Sequence, residues 1–422
     1  MPPQGFLGAL LTALVLGNET GPSAAVVVPD RAGTVMSDSL RFVAVTLGDN
    51  FTCGLTTDGV AWCWGANQYG QLGVDSVGNE CKVDLIADGP CSLHPRRVSG
   101  GLRFTSIDAG SEHVCGIAHN GAAFCWGKNI VGELGTTATS STCNVPYYAE
   151  RLPDYDPEPC SRAPVAVATS LRFASISAGN YFTCALTTSG RAYCWGSNKD
   201  GRVGAGDRFD VHPEVTPVDS SVRFIQLSAD GSLACGLSTD GDAYCWGAEL
   251  SVKPTRIKAP GGFTSLSRGW GHTCALNRDG AAYCWGQNND GQLGLGGPTT
   301  RSGKEDPQPV SGDLRFRSVD AGFLGTCGIT TGGGLYCWGA GVARGAEAPD
   351  RCFDVDAFNP CATKPVRVAL TSVTAVSGGF MHRCALAAEG ALHCWGRNNA
   401  GAFGNGTRRE SDTPTRAALS TP

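Results

Sequence analysis

Cys184-Ala-Leu-Thr-Thr-Ser-Gly-Arg-Ala-Tyr-Cys194-Trp195-Gly196 is one copy of a segment that occurs seven times along the chain. Its cysteines recur in pairs: Cys53 with Cys63, Cys115 with Cys125, Cys184 with Cys194, Cys235 with Cys245, Cys274 with Cys284, Cys327 with Cys337, and Cys384 with Cys394. The two members always stand ten positions apart. Trp-Gly follows each second cysteine, from Trp64 to Trp395. First cysteines lie 39 to 69 residues apart, so the unit is constant and its connecting loop is not. Self-similarity at such a period marks stacked or ring-forming repeat units.

Working outward, the fuller unit runs Pro-x-Arg-Val, Leu-Arg-Phe-x-x-Ile-x-Ala-Gly, Thr-Cys-Ala-Leu, a Gly turn and Ala-Tyr-Cys-Trp-Gly. Asn-x-x-Gly-Gln-Leu-Gly often comes next, as at Asn67 to Gly73. Short β-rich runs bounded by Gly and Asp are strand signals, four per unit. No helical period is sustained. Four-stranded units in tandem predict an all-β, seven-bladed β-propeller. Pro-x-Arg-Val-like strands recur from Pro95–Val98 to Pro414–Ala417, and the first unit opens at Leu40-Arg41-Phe42. The expected closure therefore pairs the C-terminal strand with the N-terminal blade, leaving no open edge.

The string Gly271 to Gly294, with His-Thr-Cys-Ala-Leu, Tyr-Cys-Trp-Gly and Asn-Asp-Gly-Gln-Leu-Gly, resembles the regulator of chromosome condensation repeat family. The resemblance covers nearly everything from Leu40 onward. It implies the seven-bladed propeller and much less about function. The family includes a guanine-nucleotide exchange factor, an enzyme inhibitor and a receptor ectodomain, and function lives in sites grafted on folds.

In the third repeat, a three-residue Thr188-Ser189-Gly190 loop with Gly in the left-handed position sets Thr187 opposite Arg191. Counting back, Cys184 falls opposite Cys194, at a separation a disulfide tolerates. Six further cysteines pair inside long connections: Cys81 with Cys91, Cys143 with Cys160, and Cys352 with Cys361. Twenty cysteines thus form ten local pairs, which points to an oxidising compartment. Reduced cysteines packed as small hydrophobes are the alternative. Metal binding is disfavoured, because no Cys-x-x-Cys occurs.

The apolar stretch Phe6 to Leu16 within residues 1–25 reads as a secretory signal, with residues 26–39 as linker and 40–422 as one propeller. No Lys or Arg precedes it, so a mis-called start or a frayed N-terminal segment is the other reading. The expected location is secreted, extracellular or cell-surface, or periplasmic in a bacterium. A net charge of −5 and no basic run argue against nucleic-acid binding, and no segment is long enough for a membrane helix.

Catalysis is not expected. His113, His272 and His382 share one repeat position that elsewhere holds Phe51, Phe182, Leu233 or Gly325, which makes it a packing position. Gly201 to Gly206 lacks the strand–turn–helix setting of a phosphate loop. Asp154 with Asp156, and Asp354 with Asp356, could touch calcium, but solvated acidic loops are commoner. No cofactor and no metal are expected.

Antiparallel order places the Ala-Gly turns and the long connections on one face. Phe51, Tyr181, Phe182, Trp270, Phe323 and Phe380 follow those turns, with Leu324 and Met381 beside them. The insertions add Tyr147, Tyr148, Tyr155, Phe353 and Phe358. Exposed aromatics ringed by polar loops mark recognition surfaces. The turn aromatics could instead fold inward and cap the channel. The expected partner is a protein or glycan bound by a monomer, with enzyme inhibition and GTPase regulation as alternatives.

Overall fold

The computed structural model describes residues 40–82, 88–139, 141–143, 157–248, 250–258, 261–297, 300–341 and 361–417. Among them there is no α-helix, only three single 3₁₀ turns. Seven antiparallel sheets succeed one another, numbered here as blades 1 to 7 and beginning at Phe42, Phe104, Phe173, Phe224, Phe263, Phe316 and Ala375. Blade 3 is typical: Phe173–Ala178 innermost, then Phe182–Thr187, Ala192–Ser197 and Val211–Pro217. Blades 1 and 2 add a fifth strand at the outer edge, Asn79–Lys82 and Ser141–Cys143. Among the described residues no strand pairs across blades.

The hairpin register follows the turn chemistry. Gly190 takes φ 76°, Gly190 donates to the Thr187 carbonyl at 2.9 Å, and Cys184 faces Cys194. The same register sets Cys63 opposite Cys53, Cys125 opposite Cys115 and Cys245 opposite Cys235. It sets Cys284 opposite Cys274, Cys337 opposite Cys327 and Cys394 opposite Cys384. All seven repeat pairs stand at disulfide-bonding distance, with Cα atoms 4.0–4.1 Å apart.

The insertion cysteines follow suit where they are described. Cys91 meets Cys81, and Cys160 meets Cys143, each pair with 5.8 Å between Cα atoms. That makes nine described pairs. Cys361 is buried at the start of the outer strand of blade 6, opposite Ala340. Its expected partner, Cys352, lies outside the described residues, so the tenth pairing is an expectation of the sequence alone.

Closure differs from the expectation. The C-terminal strand Ser411–Arg416 pairs with Leu392–Gly396 in its own blade, and blade 1 already has its outer strand in Asp88–Arg97. Each Pro-x-Arg-Val strand folds back on the Trp-Gly strand preceding it in the chain, the shorter loop to close. Every blade is therefore contiguous in sequence.

What joins the ring is the Asn-x-x-Gly-Gln-Leu-Gly loop. The Asn67 side chain accepts the Leu72 N–H at 3.0 Å and so closes the loop on itself. Asn129, Asn198, Asn288 and Asn398 do the same for Leu134, Val203, Leu293 and Phe403. Those apolar residues are buried. The preceding carbonyl then accepts the indole N–H of the next blade. Trp126 donates to Gln71 at 3.0 Å, Trp195 to Glu133 at 2.9 Å, Trp246 to Arg202 at 3.1 Å and Trp338 to Gln292 at 3.0 Å. Trp64 of blade 1 donates to Ala402 of blade 7 at 2.8 Å. One latch repeated five times thus includes the seam that closes the ring.

Two seams depart from this pattern, and each contains a buried arginine. Blade 4 has no such loop between Gly247 and Ser251, and there Arg268 donates to Thr273 Oγ1 at 3.0 Å and to the Trp270 carbonyl at 3.1 Å. Between blades 6 and 7, Arg383 donates to the Ala340 and Gly341 carbonyls at 3.0 and 2.7 Å. The Trp395 indole N–H at that seam has no partner among the described residues.

Candidate functional site

The innermost strands end in a belt around the channel. In blades 1 to 6 one small polar side chain accepts an N–H from the next blade, because inner-strand edges would otherwise leave donors unpaired. Thr46 accepts from Ala109, Asp108 from Ala178, Ser177 from Ala229, Ser228 from Arg268, Ser267 from Ala321 and Asp320 from Gly378, at 2.8–3.0 Å. Above the belt a cavity of about 130 Å³ opens at the Ala-Gly turns. The Ala66 N–H bonds the Asn50 carbonyl there, so the long connection after each Trp-Gly starts on this same face.

The residue after each turn glycine forms the rim, and the rim is divided. Asp49, Ser111 and Asn180 stand on blades 1 to 3, joined by a Ser111–Asn180 side-chain hydrogen bond of 3.1 Å. Trp270, Phe323 and Phe380 stand on blades 5 to 7, with ring centroids 5.1 Å and 4.2 Å apart in sequence. Trp270 is 40% exposed, and the two phenylalanines are half-buried. These three of the expected aromatics meet in one cluster at the channel mouth.

Others do not join it. Phe51 and Phe182 are fully buried, which removes them from any exposed surface. The turn glycine explains why: a Cβ on Gly48 or Gly179 would collide with the ring three residues on, so bare backbone makes room for that ring to fold inward. Tyr181 is exposed but separate. It flanks Lys128, whose Nζ lies 4.9 Å from its ring centre, 4.2 Å from that of Tyr69 and 2.6 Å from Glu112. Tyr147, Tyr148, Tyr155, Phe353 and Phe358, with the four loop aspartates, lie outside the described residues.

The histidines at the shared position are seam residues. His113, His272 and His382 reach Thr183, Thr326 and Thr52 of the following blade at 2.9, 2.7 and 2.9 Å. Burial pushes all three down to about 3. The fold therefore favours the neutral ring, and its contribution is intact above the ordinary histidine value and lost as pH falls from there towards 3. Replacing His272 with Gln should narrow the difference in unfolding free energy between about pH 7 and about pH 4, read from urea titrations, by on the order of 1 kcal/mol. An unchanged gap would rule the ring out as a source of acid sensitivity.

Carboxylates at the channel shift the other way. Burial raises Asp108 and Asp230 to about 6 and Asp320 to about 7, despite the N–H groups they accept. Asp49 is raised as well, by burial and then by Glu112. Burial lowers Arg268 and Arg383 to about 10 against the opposing pull of Asp230 and Asp320. The belt and both arginines escaped the sequence reading. A signal existed: aligned repeats hold Thr46, Asp108, Ser177, Ser228, Ser267, Asp320 and Ser377 at one place in an apolar strand. Gly201 to Gly206 proves to be part of the blade 3 latch loop.

The regulator of chromosome condensation (RCC1) repeat matches residues 42–71, 104–133, 173–202 and 263–292 in one form and 58–117, 120–186 and 279–327 in another. The chain belongs to the RCC1 repeat family. This RCC1-repeat propeller is 23% identical over 391 residues to human E3 ubiquitin-protein ligase HERC2, covering 87% of the chain but 7% of that protein. It is 24% identical over 279 residues to the Arabidopsis thaliana ultraviolet-B receptor UVR8, covering 62% of the chain and 57% of the receptor. The propeller thus spans less than two thirds of either relative. Saccharomyces cerevisiae Prp20p superposes with a TM-score of 0.70 at 19% identity, over 86% of this chain and 87% of that one, a likeness of fold.

Proposed function

We propose that this RCC1-repeat propeller is a non-catalytic recognition module that folds in an oxidising compartment outside the cytosol and captures a protein or glycan on its channel-mouth face. The Trp270–Phe323–Phe380 cluster carries the reading. Large aromatic surface left half in water beside a polar cavity is what recognition sites present. Nine cysteine pairs at bonding distance support the oxidising setting. No helix among the described residues is long and apolar enough to cross a membrane. Prp20p is described with its binding properties to Gsp1p and histones, so another propeller of this fold serves as a binding platform.

Affinity capture from the native medium tests the proposal. The double variant carrying Trp270→Ser and Phe323→Ser should lose its captured partner by at least about tenfold, since a few central aromatics dominate such interfaces. Its melting temperature should fall only modestly, because Trp270 and Phe323 both sit on the half-exposed rim, outside the buried cores of the blades. Retention equal to the unsubstituted protein would overturn the choice of face.

A further inference from the structure

The divided rim and the cavity beneath it state what a ligand must offer. On one side stand three adjoining aromatic rings, with Trp270 the most exposed. On the other stand Asp49, Ser111 and Asn180. Below lie serine hydroxyls, the Asp108, Asp230 and Asp320 carboxylates and Arg268.

Arg268 is the decisive group. The residue is only 5% exposed, both terminal nitrogens are bonded within the protein, and its buried Nε has no acceptor among the described residues. A guanidinium carries five N–H donors and these two bonds use two of them, so Arg268 as a lining residue of the cavity favours an occupant that brings an acceptor. The carboxylates beside it require donors.

Simple ligands fail one side of this demand. A basic side chain brings donors only and sits against the Arg268 charge. An anion supplies an acceptor but meets Asp49, Asp108, Asp230 and Asp320. An apolar side chain satisfies the rings and leaves every polar group bare. A hydroxyl both donates and accepts, and a pyranose ring carries several on one edge while presenting a flat C–H face to an aromatic ring. A polar cavity of about 130 Å³ has room for several waters, and so for the hydroxyl edge of one sugar.

We propose that the channel mouth binds a terminal pyranose residue of a glycan, stacked on Trp270 and hydrogen-bonded by Asp230 and Arg268. The assignment rests on the recognition role proposed above and narrows its ligand to carbohydrate.

The full chain would be titrated with a panel of methyl pyranosides (gluco, galacto, manno and N-acetylglucosamine, both anomers) by calorimetry and indole fluorescence. The expected result is saturable millimolar binding of one or two stereoisomers. Trp270→Ala should weaken it about tenfold, and Asp230→Asn, nearly isosteric, should weaken it and alter the preference among isomers. Phe209→Ala, at an exposed residue outside the cavity lining, serves as the control for general surface effects. Sugar binding that survives Trp270→Ala unchanged would overturn the site. Absence of binding by every glycoside, with Nα-acetyl-lysine methylamide binding in a Trp270-dependent way, would overturn the carbohydrate assignment and leave the recognition face standing. Failure of both probes, with partner capture untouched by the double variant above, would remove both.

Discussion

Under a strong thiol reductant the propeller should unfold at a far lower urea concentration than under oxidising conditions, and it should not hold a stable fold near body temperature. Most of the described cysteine pairs bridge residues ten apart, and a loop that short contributes about 2–3 kcal/mol through the entropy it removes from the unfolded chain. Whole domains are stable by only about 5–15 kcal/mol. Nine such links nominally total about 18–27 kcal/mol, and a third of that, about 6–9 kcal/mol, is still comparable with the whole margin. Native protein treated with an alkylating reagent should correspondingly take up no label at the eighteen cysteines of the nine described pairs. Labelling at most of them, or a midpoint indifferent to reductant, would return the chain to a reducing compartment. The recognition role outside the cytosol would fall with that result.

The second large effect is expected at the closing seam. Trp64 is fully buried, stacks on Phe42 with centroids 5.6 Å apart and donates to the Ala402 carbonyl. Truncation to Ala should cost about 3–5 kcal/mol, the range for removing a large buried aromatic. The two chain ends should then lose hydrogen-exchange protection together, because blades 1 and 7 share that seam. Trp64→Phe separates the packing from the latch. It keeps most of the apolar contact and loses only the indole N–H, at about 1 kcal/mol. Trp285 provides the comparison, since it stacks similarly on Phe263 at 5.9 Å but faces blade 4, which has no latch loop. Trp285→Phe should therefore cost less than Trp64→Phe in urea denaturation. Equal costs would show that the latch carbonyl contributes nothing beyond packing.

Local chemistry made the blades legible. A ten-residue cysteine spacing around a glycine turn has one antiparallel register that sets the two sulfurs face to face, so Cys184 and Cys194 could be paired from spacing alone. Seven repeats then counted seven blades. Ring closure was not legible. A strand such as Pro414–Ala417 reads the same whether it serves the blade before it or the one after, and only the hydrogen-bond partner decides.

The candidate site was half legible. Trp270, Phe323 and Phe380 were marked by following a turn glycine, and the structure gathers them. Phe51 and Phe182 carried the same apolar signal two positions later in the turn, where the side chain folds under the glycine into the seam. One polar residue per inner strand looked like noise against the apolar pattern until the belt gave six of the seven a partner. The buried arginines were invisible because their partners are backbone carbonyls and one threonine hydroxyl, which carry no sequence signature.

Contiguous blades have one more consequence. Where a propeller borrows a closing strand from the far end of its chain, cutting between blades elsewhere and rejoining the original ends would rewire that shared sheet. Here each sheet is complete before the next begins, and neighbours meet through side chains and loop carbonyls. A circular permutant opened at Ser99–Gly101, between blades 1 and 2, would therefore conserve every sheet intact. For the same reason, whole units of this architecture can be duplicated or deleted without disturbing the internal pairing of those that remain.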